Sequence, residues 1–284
     1  MTFGRLAGHS FKHVEFLAVG RVTTPAAESA AELVPLTKGQ RTRERIFGCA
    51  MELFMSRGYE KTTMRMIADQ AGVNVALSYH YFPSKEHLVF EFYRNFARDF
   101  IERSTAVVQG SSRLDERLVG VTETMFEAAD PYHAFAGSLF ASAASPTSPL
   151  NPFSAAFRDL RADGIGLFAR VIDGCTPRVP RDIAEELPFL LWAFSLAMLY
   201  SWMHDHSEHQ EKTRTILRQS VRLVVGLLRL SSSPGARHFR RQMISISHLV
   251  RCNLPDSVKV EERDARTDDP ARTHGGDESA FPAD

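Results

Sequence analysis

The sequence predicts an all-α protein. Three observations carry this reading. No stretch of the 284 residues sustains the apolar–polar alternation of a half-buried strand. Apolar side chains recur three and four residues apart instead, the spacing that gathers them on one face of a helix. The segments marked in this way open mostly at Thr, Ser, Asp or Asn, whose short side chains cap helix N-termini, and several close near Gly.

The elements follow in order. Residues 1–36, ending in TTPAAESAAELVPL, show no sustained period. They are expected to form a disordered N-terminal extension, or an upstream start outside the functional protein. Thr37 and Gln40 have the form of a capping box, so a helix is predicted from about Lys38. Ile46, Ala50, Leu53 and Phe54 repeat at helical spacing along it. Gly58 suits the position just past its end, where the backbone turns left-handed. Next comes TTMRMIADQAGVNVALSYHYFPSKEHL, Thr62 to Leu88. Thr63 predicts the N-cap of a short helix ending at Gln70. Ala71, Gly72 and Val73 make a tight turn, with Gly72 able to take a positive φ. A second short helix runs from Asn74 to about His80. Two short helices joined by such a turn form a helix-turn-helix; Ala68 and Ala71 allow close approach, and Ile67 and Val73 fill the seam. The second helix of this motif normally enters the DNA major groove.

Further on, a long helix is predicted from about Ser84 to Val108, stopped near Gly110, and another from about Arg113 to Ala129. Asp130-Pro131 reads as an N-cap followed by Pro at the first helical position, opening a helix to about Ala144. SPTSPLNP is a loop, and Asn151-Pro152 repeats the signal for a helix to about Asp173. GCTPRVP is the next loop. Asp182 with Glu185 reads as a capping box leading into the apolar run LPFLLWAFSLAMLYSWM, which ends near His204. Ser207 with Gln210 reads as a third box, opening a helix to about Leu230, and a basic helix follows over about 236–251. Residues 253–284 hold nine acidic and four basic residues with few large apolar ones, and are expected to be a disordered acidic tail.

Composition excludes several classes. The formal net charge is zero, so any surface for a polyanion must come from local imbalance. One such imbalance lies at Lys38 to Arg65, with seven basic and three acidic residues. The three cysteines are far apart and in no paired spacing, which argues against a disulfide scaffold or zinc ribbon and points to the cytoplasm. The apolar patch Phe16 to Val19 is too short for a signal-peptide core. The run from Leu187 to Met203 falls short of the ~20 residues that cross a bilayer, so no membrane span is expected. HDHSEHQ, with His204, Asp205, His206 and His209, straddles a helix end and a helix start and reads as capping rather than metal binding. No GxSxG, P-loop, GxGxxG or HExxH pattern occurs, so neither an enzyme nor a cofactor is expected.

Thr42 to Leu88 resembles the DNA-binding domain of the TetR/AcrR family of transcriptional regulators. RIFGCAMELFMSRGY, TTMRMIADQAGV and YHYFPSKEHL carry the resemblance. It implies a three-helix helix-turn-helix domain over 37–83, followed by a helical ligand-binding and dimerisation domain over 84–252. Carried residue by residue, it implies that Thr63 and Lys85 hold DNA phosphates. Val75, Ala76, Leu77 and His80 would face the groove, and Tyr79 would touch the backbone. Independently of the resemblance, Arg41, Arg43 and Arg45 of the basic segment precede or open the first helix, where they could reach phosphates or a minor groove. Phe82 reads as core. Ser78 departs from the family pattern, which has a larger aliphatic residue there. Val75, Ala76 and Leu77 offer no bidentate base readers, so readout is expected to rest on thymine methyls, His80 and DNA shape.

The two last long helices carry broad apolar faces. Leu190, Leu191, Phe194, Met198 and Tyr200 to Trp202 lie on one, and Ile216, Leu217, Val221, Val224, Val225 and Leu228 on the other. They are expected to pair with a second copy as a four-helix interface. Phe126, Phe135, Phe157, Phe168, Trp192 and Met198, with Phe140 and Phe153, are candidate lining for a pocket; for any one of them alone, a place in the core is the better reading. Gly164 and Gly166 inside a helix imply either close packing or room for a ligand. The reading is a ligand-responsive regulator, a repressor that binds a palindromic operator in double-stranded DNA as a homodimer and is released by a small hydrophobic effector. The alternative is a regulator of the same architecture controlled by a protein partner, and the rival class is a helical enzyme.

Overall fold

Eleven α-helices account for most of the described residues of the computed structural model, which are 36–231 and 237–252. Apart from Leu36, the expected N-terminal extension lies outside them, as does the expected acidic tail. No strand forms among them. An isolated bridge between Arg113 and Thr176 joins two loops. The chain divides into two compact units after Lys85.

The first unit holds α1 (Lys38–Arg57), α2 (Met64–Gln70) and α3 (Val75–Tyr81). The capping box is present: Thr37 Oγ1 accepts from Gln40 N at 3.2 Å, and Gln40 Oε1 accepts from Thr37 N at 2.8 Å. Gly58 ends α1 with φ of 84°. Ile46, Ala50, Met51 and Phe54 of α1 are buried, as are Met64, Ile67 and Ala68 of α2. Each such side chain contributes about 1.5–3 kcal/mol of burial if large, which a domain this small needs.

The second unit begins with α4 (Lys85–Gly110), which starts at the last residue of the first. There follow α5 (Leu114–Ala129), α6 (His133–Ala143), α7 (Arg158–Ile172), the single turn α8 (Arg181–Ala184), α9 (Leu187–Met203), α10 (Glu211–Ser231) and α11 (Arg237–Cys252). Its core draws mainly on α5, α7, α9 and α10. Gly164 explains how α7 reaches α9. A Cβ built there would lie 2.8 Å from Trp192 Cδ1, so only glycine admits the indole. Gly166 has no such neighbour within 4 Å. Arg117 secures the end of α7, donating from Nη1 to the carbonyls of Val171 (3.0 Å) and Asp173 (2.6 Å). Among the described residues no helix is long and apolar enough to cross a membrane.

Four expectations are corrected. Asp130 is not an N-cap: its φ and ψ are helical, and residues 130–132 form a 3-10 turn that carries α5 almost directly into α6. Asn151 caps a local turn, its Oδ1 accepting from Phe153 N at 2.8 Å, and α7 starts seven residues later at Arg158. Asp182 does not close a capping box; its carboxylate pairs with Arg240 of α11 at 2.6 Å. Ser207 and Gln210 do not close a box; Ser207 Oγ accepts from Lys212 N of α10 at 3.3 Å, and Asp205 shares the capping. Its Oδ2 accepts from Thr213 N at 2.7 Å, and its Oδ1 accepts from Ser207 N at 2.9 Å and Ser207 Oγ at 2.6 Å.

The apolar faces are also redistributed. Leu217, Val221, Val225 and Leu228 of α10 point into the core of their own unit, as do Leu191, Met198 and Trp202 of α9. The outward stripe of α10 is Ile216, Leu223, Leu227 and Leu230. An apolar period cannot distinguish the two faces here, because α10 is apolar on both.

Candidate nucleic-acid interface

The helix-turn-helix is built from local signals. Thr63 Oγ1 caps α2 by accepting from Met66 N at 3.2 Å. The turn closes with Gly72 at φ of 61°, and Val73 N donates to Ala68 O at 3.0 Å. Asn74 Oδ1 then caps α3, accepting from Ala76 N at 2.8 Å. Gln70 Nε2 donates to Glu52 Oε2 at 2.7 Å, tying α2 to α1.

α3 turns one narrow edge inward. Ser78 is its buried residue, and its hydroxyl donates to the carbonyl of Val75 at 2.7 Å. A serine can occupy this core position because its own helix satisfies the hydroxyl, so nothing polar is orphaned. The opposite side is bare: Ala76, Leu77, Tyr79 and His80 are exposed and Val75 is half-buried, with 49% of Tyr79 accessible. The His80 ring meets Tyr81 edge-on at 5.3 Å. An exposed apolar and aromatic helix face costs solvation unless something covers it.

The same unit carries exposed basic residues, Lys38, Arg41, Arg45, Arg57, Lys61 and Arg65, and Thr63 is exposed as well. Arg43 is half-buried, its guanidinium 4.8 Å over the ring of Phe82. Phe82 itself is buried and packs 6.5 Å from Phe47. Lys85 is half-buried: its Nζ donates to Tyr59 O at 3.0 Å and sits 4.4 Å over the Tyr59 ring. Sequence reasoning did not anticipate that clamp, because nothing local marks a pair 26 residues apart.

The six pocket candidates are all buried in the second unit. Phe126, Phe168, Trp192 and Met198 share one cluster. Phe135 lies instead against Phe92 of α4 at 6.0 Å, and Phe157 against Phe90 and Tyr93 at 5.2 and 5.1 Å. Burial pushes the Tyr93 phenol pKa well above its ordinary value. A cleft between α8, α9 and α11 is lined by Ile183, Glu186, Leu187, Leu190, Met243 and Ile244, and none of the six candidates lines it.

Comparison with known proteins agrees with this geometry. The family model for bacterial regulatory proteins of the tetR family matches residues 46–92, and that for the tetracyclin repressor-like C-terminal domain matches 117–241. The chain is 37% identical over 92 residues to the HTH-type transcriptional repressor KstR2 of Mycobacterium tuberculosis, covering 32% of this chain and 46% of that protein. It is 39% identical over 98 residues to KstR2 of Rhodococcus jostii, covering 34% and 46%. The chain thus spans just under half the length of the curated relatives it matches. Among solved structures, a TetR-family regulator from Syntrophomonas wolfei superposes with a TM-score of 0.53 at 18% identity, over 66% of this chain and 96% of that one. One from Streptomyces coelicolor gives 0.52 at 18% identity, over 80% and 96%. These likenesses show the fold. Regulators make up the family, which sets aside the enzyme reading. With both of its domain models matched in order along the sequence, the chain belongs to the TetR family of transcriptional regulators.

Proposed function

We propose that this protein is a transcriptional repressor that binds a two-fold operator as a homodimer and leaves it when a small hydrophobic effector binds the second unit. The observation that carries the DNA half is the bare outer face of α3, in a unit that also exposes basic residues of α1 and α2. Repression is carried over from the relatives named as repressors. Val75, Ala76, Leu77 and His80 are assigned to base edges, Tyr79, Thr63 and Lys85 to the phosphate backbone, and Arg43 to the surrounding charge. The outward stripe of α10 supports a second copy as partner: its four apolar side chains lie on one helix face, with 64% of Leu223 and 70% of Leu230 accessible. The aromatic, charge-poor core of the second unit supports an apolar effector. The site of action is the cytoplasm.

The test is operator binding by gel shift and fluorescence anisotropy, with DNA from beside the coding region. His80→Ala should change base preference more than overall affinity. Tyr79→Ala should weaken every sequence. If both variants keep the affinity and preference of the wild type, α3 does not lie in the groove.

A further inference from the structure

Trp202 is the largest fully buried side chain among the described residues, at 0% exposure, and its indole Nε1–H has no acceptor among them. A buried donor in that condition is uncommon, since it gives up water and receives nothing in exchange. Its surroundings are aromatic. The Phe126 ring lies parallel to the indole at 6.1 Å, and His133 meets it edge-on at 4.6 Å. His133 Nε2 is 3.3 Å from the backbone carbonyl oxygen of Trp202, which occupies that nitrogen with the main chain rather than with the indole. A second orphaned polar group, the hydroxyl of Ser104, is also fully buried in this unit. By contrast, Thr105, Thr122 and Thr124 each donate to the carbonyl four residues back.

We propose that the effector presents a neutral acceptor oxygen, carried on a flat apolar ring system, to the Nε1–H of Trp202. This rests on the reading that the second unit binds an effector. Indole nitrogen is a donor only, so a cation or a pure donor gains nothing there. A hydrocarbon leaves the N–H as it stands. A carboxylate pays a desolvation cost that a single neutral donor does not offset. A ketone, ester or ether oxygen fits, and the faces of Phe126 and His133 suit a ring beside it. The bond forms only after the rings part to admit the ligand, so the ligand prefers the opened conformation. That differential affinity is what a release switch requires.

The experiment is calorimetric titration of the full chain with a matched pair of probes, 2-acetylnaphthalene and 2-ethylnaphthalene, which differ in the ketone oxygen. In Trp202→Phe the ratio of ketone to hydrocarbon affinity should fall about tenfold from its wild-type value. An isosteric benzothienyl side chain at position 202, sulfur in place of N–H, should give the same fall and decides the matter if the phenylalanine variant does not fold. A ratio that both replacements leave unchanged overturns the hydrogen bond while leaving the effector reading intact. Failure of both probes to bind wild-type protein that still binds its operator overturns both.

Discussion

The ammonium of Lys85 donates to the carbonyl of Tyr59 at 3.0 Å while lying 4.4 Å over the ring of the same residue. One side chain thus closes the corner after α1 and stands where the family resemblance puts a phosphate contact. A lysine has three donors, so the two roles are compatible. Lys85→Ala should lower the stability of the first unit by about 1 kcal/mol, from the lost hydrogen bond and cation–π contact. If Lys85 also meets a phosphate, the slope of log affinity against log salt should fall by about one unit. Thermal unfolding and salt-dependent anisotropy on the same variant separate the roles. A lower melting temperature with an unchanged slope removes Lys85 from the DNA contacts.

The two faces of α10 give opposite expectations for one substitution. Leu223→Glu or Leu230→Glu alters the exposed stripe and should yield folded monomers that no longer bind the operator. Val221 is 1% exposed and faces its own core. Val221→Glu should therefore unfold the second unit, because a buried unpaired carboxylate costs several kcal/mol against a total stability of about 5–15. Sedimentation velocity and circular dichroism distinguish the outcomes. A stable wild-type monomer at micromolar concentration would refute the dimer.

Two glycines two residues apart in α7 should respond with opposite signs. Helix propensity alone favours Ala over Gly by about 1 kcal/mol. At Gly166 nothing lies within 4 Å of an added Cβ, so Gly166→Ala should raise stability by up to about that amount. At Gly164 the same methyl would sit 2.8 Å from Trp192 Cδ1 and 2.9 Å from its Nε1. Overpacking of this kind costs about 1–3 kcal/mol, which exceeds the propensity gain. Chemical denaturation of both variants checks the pair. A stabilising Gly164→Ala would mean that the indole moves aside freely.

Asp205 links stability to acid pH. The Ser207 hydroxyl, with the backbone N–H groups of Ser207 and Thr213, holds its carboxyl far below the usual carboxylate range despite some desolvation. The folded pKa lies below the unfolded value of about 3.9, so the stabilisation is full above that value. It is lost as pH falls through the folded pKa. Asp205→Asn should reduce stability at neutral pH and flatten the decline of melting temperature below about pH 4. A variant that retains the wild-type acid limb would show that other carboxylates set it.

The sequence by itself determined the helices, the family and the helix-turn-helix, because each rests on signals a few residues long. The Thr37–Gln40 box, Thr63, Asn74 and the left-handed glycines at 58 and 72 act on the backbone beside them. Tertiary structure decided which of several equivalent local signals is used. Asp205, Ser207 and Gln210 all suit the start of a helix; Ser207 Oγ takes Lys212 N, and Asp205 joins it because the chain bends to bring its carboxylate onto Thr213 N. Asp182 could close a capping box, but the return of α11 offers it Arg240 instead. Both faces of α10 are apolar, and contact with α5 and α9 selects the one that carries Val221 for the interior. The pairs Lys85–Tyr59 and Gly164–Trp192 join residues 26 and 28 positions apart. Local propensity ends within about a turn of helix, so contacts at such separations are set by how the helices pack.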